Sequence, residues 1–282
     1  MEEKLIEINI PALPKEAKIG LAAAAGLVFL LAPGKTTRRE RAPFMGMNFA
    51  HRGLHSEDKS VPENSLAAFA LAAEAGYGIE LDVQLTKDGK VVVFHDDTLD
   101  RVCGVSGRVD DYTFDELQAF PLCGTEQRIP LFKTVLDLVD ARSPLIVELK
   151  TGKRNAELCR KTYDLLCSYR GAACIESFNP LIVRWFKRHG KDIVRGQLAM
   201  PAERYDGFPA PARFILSRCL LNCLARPQFI AYKIGRRPAP VHLSEAMGAI
   251  KVAWTSHDVK NEKGKDAVIF EFYKPERQYK KC

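Results

Sequence analysis

Short apolar runs alternate with amphipathic segments along most of the chain from Met47 onward. Nine runs have the composition and alternation of β-strands: MNFAH, GIELDV, KVVVFH, PLIVELK, ACIESF, IVRGQL, FIAYKI, KVAWTS and DAVIFEF. Helical periodicity between them predicts helices over 64–75, 131–140, 155–169 and 180–189. Strand–helix repetition of this kind predicts an α/β fold with a parallel sheet. A span of roughly 230 residues favours a closed (β/α)8 barrel of the TIM type.

Two features interrupt the repeat. No helix fits between Asp82 and Lys90, and the turn Lys87-Asp88-Gly89 predicts a hairpin instead. Residues 96–130 are rich in Asp, Gly and turn signals, so we expect a small insertion after an early strand. We therefore predict a barrel over 44–276 and a basic, solvated tail over 277–282.

The N-terminal segment 1–43 carries a hydrophobic stretch. Sixteen uncharged residues lie between Lys18 and Lys35, and as a helix they would span about 24 Å, short of a hydrocarbon core of about 30 Å. An acidic leader disfavours a cleaved secretory signal. We expect a leader or anchor that holds a cytoplasmic protein to the membrane through residues 19–34. The alternative is a short hydrophobic helix that lies against the barrel.

Composition and charge narrow the classes of protein. The chain is 46% hydrophobic and 27% charged, which excludes disordered, collagen-like and wholly membrane-embedded proteins. The net charge of +7 divides into +2 for 1–43, −6 for 44–179 and +11 for 180–282. A basic final third beside an acidic middle favours attraction to an anionic lipid or substrate over nucleic acid. The apolar, Arg-containing stretch 212–226 is either an ordinary barrel helix or a second lipid contact.

Eight cysteines are spread through the sequence without a CxxC motif. Several lie among apolar residues, where a thiol behaves as a small hydrophobic group. We expect free thiols in a reducing compartment rather than a disulfide framework or a structural zinc site.

Polar side chains stand at the carboxyl ends of several predicted strands, where barrels of this kind carry their chemistry. They are His51, Arg52, Glu80, Asp82, His95, Glu148 and Lys150. Each alone is explained by packing or by a local salt bridge. Together they place three carboxylates, two imidazoles and two cations at one barrel mouth. Unpaired buried charge is costly, so this combination favours a site.

Converging carboxylates repel one another unless a cation lies between them. Oxygen-only ligands suit Ca²⁺ or Mg²⁺. The histidines His51 and His95 could serve as general base and general acid, and Arg52 and Lys150 could hold an anionic substrate. A phosphodiester fits this set better than an uncharged ester.

The motifs that carry these residues closely resemble the glycerophosphodiester phosphodiesterase family. They are HRG at 51–53, PENS at 62–65, ELDVQLTKDGKVVVFHDDTLDRV at 80–102, IPLF at 129–132, VELK at 147–150, SFNP at 177–180 and AWT at 253–255. The resemblance implies a phospholipase-C-like TIM barrel. It also implies metal-dependent hydrolysis of glycerophosphodiesters to glycerol 3-phosphate and an alcohol.

The resemblance further implies roles for individual residues. Metal ligands would be Glu80, Asp82 and Glu148, with Glu63 as a possible additional ligand. His51 and His95 would be the acid/base pair, and Arg52, Asn64 and Lys150 would contact the phosphate. Phe178 and Trp254 would be pocket residues, whereas His257 is either a third pocket residue or, as the ordinary surface preference of polar side chains favours, a solvated loop residue. The metal would act as a Lewis acid on the phosphoryl oxygen. The attacking oxygen is either the substrate's own glycerol hydroxyl, through a cyclic phosphate, or water.

Two other functions stay open. A lysophospholipase D that acts on membrane lysolipids is favoured by the apolar N-terminal segment. A non-catalytic, membrane-associated barrel is disfavoured, since a scaffold has no use for clustered carboxylates. The sequence departs from the family pattern between Trp254 and Asp266, where only a short polar stretch replaces the expected helix. The head group, the choice of metal and the oligomeric state stay open.

Overall fold

The computed structural model describes residues 14–279, in which eight parallel strands close into a barrel surrounded by helices. The strands are β1 (Met47–Ala50), β2 (Gly78–Leu85), β3 (Val91–Val93), β4 (Leu145–Leu149), β5 (Ala173–Ser177), β6 (Val194–Ala199), β7 (Phe229–Lys233), β8 (Ile250–Ser256) and β9 (Ala267–Phe270). Strand β1 pairs in parallel with both β2 and β9, which closes the barrel. The predicted (β/α)8 TIM barrel is confirmed.

The ninth strand, β3, is the expected irregularity. It runs antiparallel to β2 through the pairs Val83–Val93 and Leu85–Val91. The connecting turn contains Gly89 at φ +76°, a conformation that glycine adopts without steric cost. Strand β2 extends beyond the barrel rim, and the antiparallel β3 runs back toward the rim. The residues that follow β3 therefore lie at the barrel mouth.

The four predicted helices are confirmed to within a few residues, and shorter helices accompany them. The helices of the described residues are α1 (Lys15–Leu31), α2 (Arg38–Arg41), α3 (Leu66–Ala75), α4 (Asp100–Cys103), α5 (Phe114–Leu117), α6 (Phe132–Val139), α7 (Asn155–Cys167), α8 (Pro180–His189), α9 (Ala210–Ser217), α10 (Asn222–Ala225) and α11 (Ala239–Ala246). Caps set several starts. The Ser65 side chain accepts a hydrogen bond from Ala68 N–H ahead of α3, and Asn179 caps α8.

Side-chain alternation divides the barrel strands into two apolar layers. Outward residues such as Ile79 and Val147 pack against the helices, and inward residues such as Ile146 and Phe229 fill the lower interior. Phe44 closes the amino-terminal end of the barrel by packing into that inner group. The inward positions nearer the carboxyl ends of the strands are therefore free to carry polar groups.

The predicted insertion has a core of its own. Its buried residues include Leu99, Val109 and Ile129, which pack together with Phe94. The link between β8 and β9 contains only a short 3₁₀ turn, Val259–Glu262, so the barrel lacks a full helix there, as expected. The seven cysteines among residues 14–279 are free thiols; Cys282 lies outside the described residues.

The hydrophobic N-terminal segment forms α1, whose end is fixed to the barrel. Leu31 is fully buried, and its carbonyl oxygen accepts hydrogen bonds from Asn222 and Ser244. Arg226 donates to the carbonyl of Ala32 at 2.8 Å. These partners precede β7 and β8, so α1 meets the barrel at the amino-terminal ends of the strands. Within the described chain, no helix has the length and apolar character needed to cross a membrane.

Two predicted surface segments make contacts that the sequence did not predict. The stretch 212–226 breaks into two helices, α9 and α10. Arg226 at its end donates a hydrogen bond to the carbonyl of Phe29 in α1. Arg237, farther along the chain, is buried in an ion pair with Glu245 and donates to the carbonyl of Val252. Residues 277–279 of the predicted tail pair through their backbone with the start of β1, while Arg277 and Gln278 are exposed to solvent. Residues 1–13 of the leader and 280–282 of the tail lie outside the described residues.

Candidate active site

Carboxylates from neighbouring strands form a buried row inside the carboxyl-terminal end of the barrel. Asp82 of β2 is in register with Glu148 of β4, which is in register with Glu176 of β5. Glu80 shares the inward face with Asp82 because side chains alternate along a strand. One oxygen each of Glu80, Asp82 and Glu148 lies within 4.8 Å of the other two. Such a set of oxygens suits a hard divalent cation.

The electrostatics of this carboxylate centre also fit a cation. Burial, reinforced by the charge of Asp82, raises the pKa of Glu80 well above its usual value. Burial raises the pKa of Glu148 and Glu176 as well. Asp82 behaves differently: although burial opposes ionisation, the nearby Lys150 ammonium helps to hold its pKa well below the usual value. One oxygen of Glu176 is buried without a hydrogen-bond partner. A bound cation would offset the mutual repulsion of these buried carboxylates.

Two basic side chains border the carboxylates. The Lys150 Nζ lies 3.0 Å from Glu148 Oε1 and 3.4 Å from Asp82 Oδ1. The Arg52 backbone N–H donates to Glu80 Oε2 at 2.9 Å. The Arg52 Nε is buried without a hydrogen-bond partner, with Asp82 Oδ2 3.6 Å away. These groups put positive charge where an anionic substrate would meet the centre.

Asn64, predicted to contact the phosphate, hydrogen-bonds a carboxylate of the centre. Its Nδ2 donates to Asp82 Oδ2 at 2.8 Å, and its side chain is buried. The residue adopts φ +54°, a left-handed conformation that asparagine tolerates better than most residues. Asn64 thus orients the carboxylate of Asp82.

Glu63 lies outside the three-carboxylate group. Its Oε1 accepts from Arg52 Nη1 at 2.7 Å, and Arg101 binds both of its oxygens at 2.7 Å. Burial opposes ionisation, but these guanidinium groups lower the pKa of Glu63 to about 2. With both oxygens occupied, Glu63 orients Arg52 in this structure.

His51, the first predicted catalytic histidine, is paired with a carboxylate that directly follows the last strand, β9. His51 Nδ1 lies 2.7 Å from Glu271 Oε2. Burial lowers the pKa of His51, and the bond to Glu271 only partly opposes this effect. Burial also opposes ionisation of Glu271, yet the adjacent imidazoles hold its pKa well below the usual value. The geometry favours a neutral imidazole whose Nε2 is available as a base.

The second predicted histidine has the same kind of partner. His95 Nδ1 lies 2.6 Å from Asp96 Oδ1, and Arg101 Nε donates to Asp96 Oδ2 at 2.6 Å. His95 follows the antiparallel strand β3, which returns it to the barrel mouth. Arg101 contacts both Asp96 and Glu63, so it links the surroundings of His95 to those of Arg52.

A cavity of about 260 Å³ is bordered by Arg52, Glu80, Glu148 and Glu176. Both histidines line it, together with the predicted pocket residues Phe178 and Trp254, whose ring centroids are 5.5 Å apart. The Lys233 Nζ lies 4.6 Å from the centroid of the Trp254 ring. His257, for which the sequence favours a solvated loop residue, is largely exposed, and its Nε2 lies 3.4 Å from Glu271 Oε1.

The sequence interpretation missed three polar residues of this cavity. Glu176, Lys233 and Glu271 stand at or just after the ends of the runs ACIESF, FIAYKI and DAVIFEF. The signal was the same one that selected Glu80 and Glu148, namely a charged residue on the inward face of an apolar strand.

Solved structures share this architecture. A phosphodiesterase from Oleispira antarctica, determined in complex with the product sn-glycerol-3-phosphate, has a TM-score of 0.65 at 23% identity, covering 80% of this chain and 93% of that chain. A glycerophosphodiester phosphodiesterase from Thermotoga maritima has a TM-score of 0.58 at 25% identity, covering 79% and 93%. The fold is thus that of the phosphodiesterase class of TIM barrels.

Sequence comparison identifies the family. The profile of the glycerophosphoryl diester phosphodiesterase family matches residues 51–273, and the chain belongs to that family. A glycerophosphodiester phosphodiesterase of Caldanaerobacter subterraneus is 44% identical over 111 residues, which are 36% of this chain and 44% of that protein. Lysophospholipase D GDPD1 of Rattus norvegicus is 31% identical over 166 residues, 54% of this chain and 51% of that protein. The matches thus span about half or less of these relatives.

Proposed function

We propose that the chain hydrolyses glycerophosphodiesters to glycerol 3-phosphate and an alcohol in a metal-dependent reaction. The observation that carries the proposal is the pair of imidazoles, His51 and His95, each tied at Nδ1 to a carboxylate and both lining the cavity beside the carboxylate centre. This arrangement presents two Nε2 atoms for proton transfer around one phosphate-sized space. Family membership supports the same reaction.

The lowered pKa of His51 suits the general base. His51 Nε2 takes the proton from the attacking oxygen as that oxygen bonds to phosphorus. His95 gives a proton to the departing alcohol oxygen as its bond to phosphorus breaks. The attacking oxygen belongs either to the substrate's glycerol hydroxyl or to water, and capture of a cyclic phosphate would distinguish the two.

Charge stabilisation comes from the residues that border the carboxylate centre. Arg52 and Lys150 bind the nonbridging phosphate oxygens, which offsets the charge that develops in the transition state. A Ca²⁺ or Mg²⁺ ion held by Glu80, Asp82 and Glu148 supplies Lewis-acid polarisation of a phosphoryl oxygen when bound. Asn64 and Glu63 hold Asp82 and Arg52 in place.

The test is a panel of four substrates with each of several divalent ions. The substrates are glycerophosphocholine, glycerophosphoethanolamine, glycerophosphoglycerol and a lysophospholipid. Glycerol 3-phosphate is measured directly, and choline release from the lysophospholipid is measured separately. Metal-dependent glycerol 3-phosphate from any of the first three supports the proposal. No product from any substrate with any ion would refute it.

A lysophospholipase D is the second candidate, supported by the exposed apolar helix α1 and by the rat relative of that name. The position of α1 argues against it. The helix meets the barrel beside Arg226 and Ser244, at the amino-terminal ends of the strands, whereas the cavity opens at the carboxyl-terminal ends. A bilayer that holds α1 would lie away from the cavity, which favours a water-soluble substrate.

We propose further that α1 attaches the protein to a membrane surface on the cytoplasmic side. Ile19, Leu21 and Phe29 are each about half or more exposed along this 17-residue helix. Basic residues 35–41 follow it, where they can meet anionic lipid. The helix is about 25 Å long, shorter than a hydrocarbon core of about 30 Å, so we propose insertion into one leaflet rather than a span.

A further inference from the structure

A second group of metal-ligating side chains lies beside the cavity and contains no part of the carboxylate centre. Glu271 lies at its middle, with His51 Nδ1 2.7 Å and His55 Nε2 3.6 Å from its Oε2. His257 Nε2 is 3.4 Å from the other oxygen, Oε1. Three histidines therefore surround one carboxylate.

The spacing of these atoms fits a small four-coordinate ion. One ligand atom each from His51, His55 and Glu271 lies within 4.8 Å of the other two. Ligands at about 2.1 Å from a tetrahedral ion are about 3.4 Å apart, so small rotations suffice to bind one. Two nitrogens and one oxygen favour Zn²⁺ and similar transition metals, whereas the oxygen-only carboxylate centre favours Mg²⁺ or Ca²⁺.

An unpaired nitrogen points independently to a ligand. The His55 side chain is only 9% exposed, and its buried Nε2 makes no hydrogen bond within 3.5 Å, the nearest acceptor being Glu271 Oε2 at 3.6 Å. A buried polar atom without a partner costs free energy, which a bound ion would recover. The His55 ring packs edge-on against Phe272 with centroids 5.0 Å apart, so its direction toward Glu271 is fixed by packing.

We propose that His51, His55 and Glu271 form a Zn²⁺-type metal site distinct from the carboxylate centre, with the exposed His257 or water as the fourth ligand. Metal binding at His51 Nδ1 requires the other tautomer of the neutral imidazole, so the single ring proton leaves Nδ1 and is replaced by one on Nε2, with no net release of protons. Nε2 then carries that proton and can no longer accept one. If the proposed function holds, occupancy of this site inhibits turnover.

The binding test uses the full chain with saturating Mg²⁺ to occupy the carboxylate centre. Co²⁺ is the spectroscopic probe, because four-coordinate Co²⁺ with nitrogen ligands absorbs visible light far more strongly than six-coordinate, oxygen-ligated Co²⁺. Zn²⁺ affinity is measured by calorimetry. The variants are His55→Ala and the bulkier His55→Gln, each checked for an unchanged thermal midpoint. The matched control is His242→Ala, which removes an exposed histidine 3.5 Å from Glu245.

We expect strong Co²⁺ bands and one Zn²⁺ bound in wild type and in His242→Ala. Both His55 variants should lose the bands and bind Zn²⁺ at least tenfold more weakly. Weak bands in wild type, or equal Zn²⁺ affinity in wild type and the folded His55 variants, would overturn the site. In turnover assays, Zn²⁺ should inhibit wild type but not the His55 variants. This readout depends on the proposed function, whereas the binding measurements do not.

Discussion

His51 and Glu271 join the first and last strands of the barrel through a contact of 2.7 Å between Nδ1 and Oε2. The register of β1 against β9 brings the two residues together, because Ala50 is paired with Phe270 immediately before them. Barrel closure therefore sets the direction of the His51 ring. This contact leads to the first prediction.

Glu271→Gln should lower kcat by about 100-fold or more, the usual scale of a general base that has lost its orientation. The Glu271 carboxylate fixes the Nδ1–H tautomer of His51, and glutamine keeps the size but not the charge. Steady-state kinetics on glycerophosphoethanolamine measure the loss. Glu203→Gln, an exposed carboxylate on another loop, is the control and should leave kcat unchanged. Equal kcat in wild type and Glu271→Gln would contradict the positioning role.

The same variant should shift the pH profile. Burial lowers the pKa of His51 below its usual 6.5, while Glu271 partly restores it. The acid limb of kcat/KM in wild type should therefore fall below pH 6.5. Removal of the Glu271 charge removes the restoring effect, so the limb should move to lower pH still. A limb that moves to higher pH would contradict the assignment of His51 as the base.

Glu80→Gln should stabilise the metal-free protein at pH 8 and abolish its stabilisation by Mg²⁺. Burial raises the folded-state pKa of Glu80, so its favourable contribution is present below the unfolded pKa and is lost as pH rises through the folded pKa. Relief of one buried charge should add about 1 kcal/mol or more to the free energy of unfolding. Chemical denaturation with and without Mg²⁺ measures both effects. Glu74→Gln, exposed on α3, is the control; a Glu80 variant still stabilised by Mg²⁺ would be inconsistent with its role as a ligand.

Asn64→Gly should weaken metal binding rather than the chemical step. Glycine accepts the φ of +54°, so the change removes the amide that donates to Asp82 with little backbone strain. We expect the metal concentration for half-maximal activity to rise about 10- to 100-fold, with kcat largely restored at saturating metal. A metal titration of activity measures this. Loss of kcat with an unchanged metal requirement would point to direct phosphate contact by Asn64 instead.

The double variant Ile19→Asp, Leu21→Asp should lose binding to vesicles of phosphatidylcholine and phosphatidylglycerol. Both side chains are exposed on α1, 61% and 57% respectively, and apolar burial supplies much of interfacial binding. Flotation at low salt measures it. Leu181→Asp, 58% exposed on α8, should keep wild-type binding. Turnover of glycerophosphocholine in solution should be the same for all three proteins. Vesicle binding by the double variant at the wild-type level would show that α1 is not the membrane contact.

Much of the fold could be predicted from the sequence, because strand alternation and helix periodicity are local. The same alternation is enough to place Glu80 and Asp82 on one inward face. The contact of Glu271 with His51 was not predictable, since it depends on barrel closure between residues far apart in the chain. The contacts of Asn64 and Glu63 were not predictable either, because they depend on a loop conformation and on Arg101, which no periodicity encodes.

The most direct test of the central claim is metal-dependent release of glycerol 3-phosphate from glycerophosphoethanolamine by wild type, His51→Ala and His95→Ala. Wild type should turn over with Mg²⁺ or Ca²⁺, and each variant should lose about 10²- to 10⁴-fold while its circular dichroism spectrum stays unchanged. Turnover at the wild-type rate in either folded variant would contradict the account of His51 and His95 as the acid/base pair.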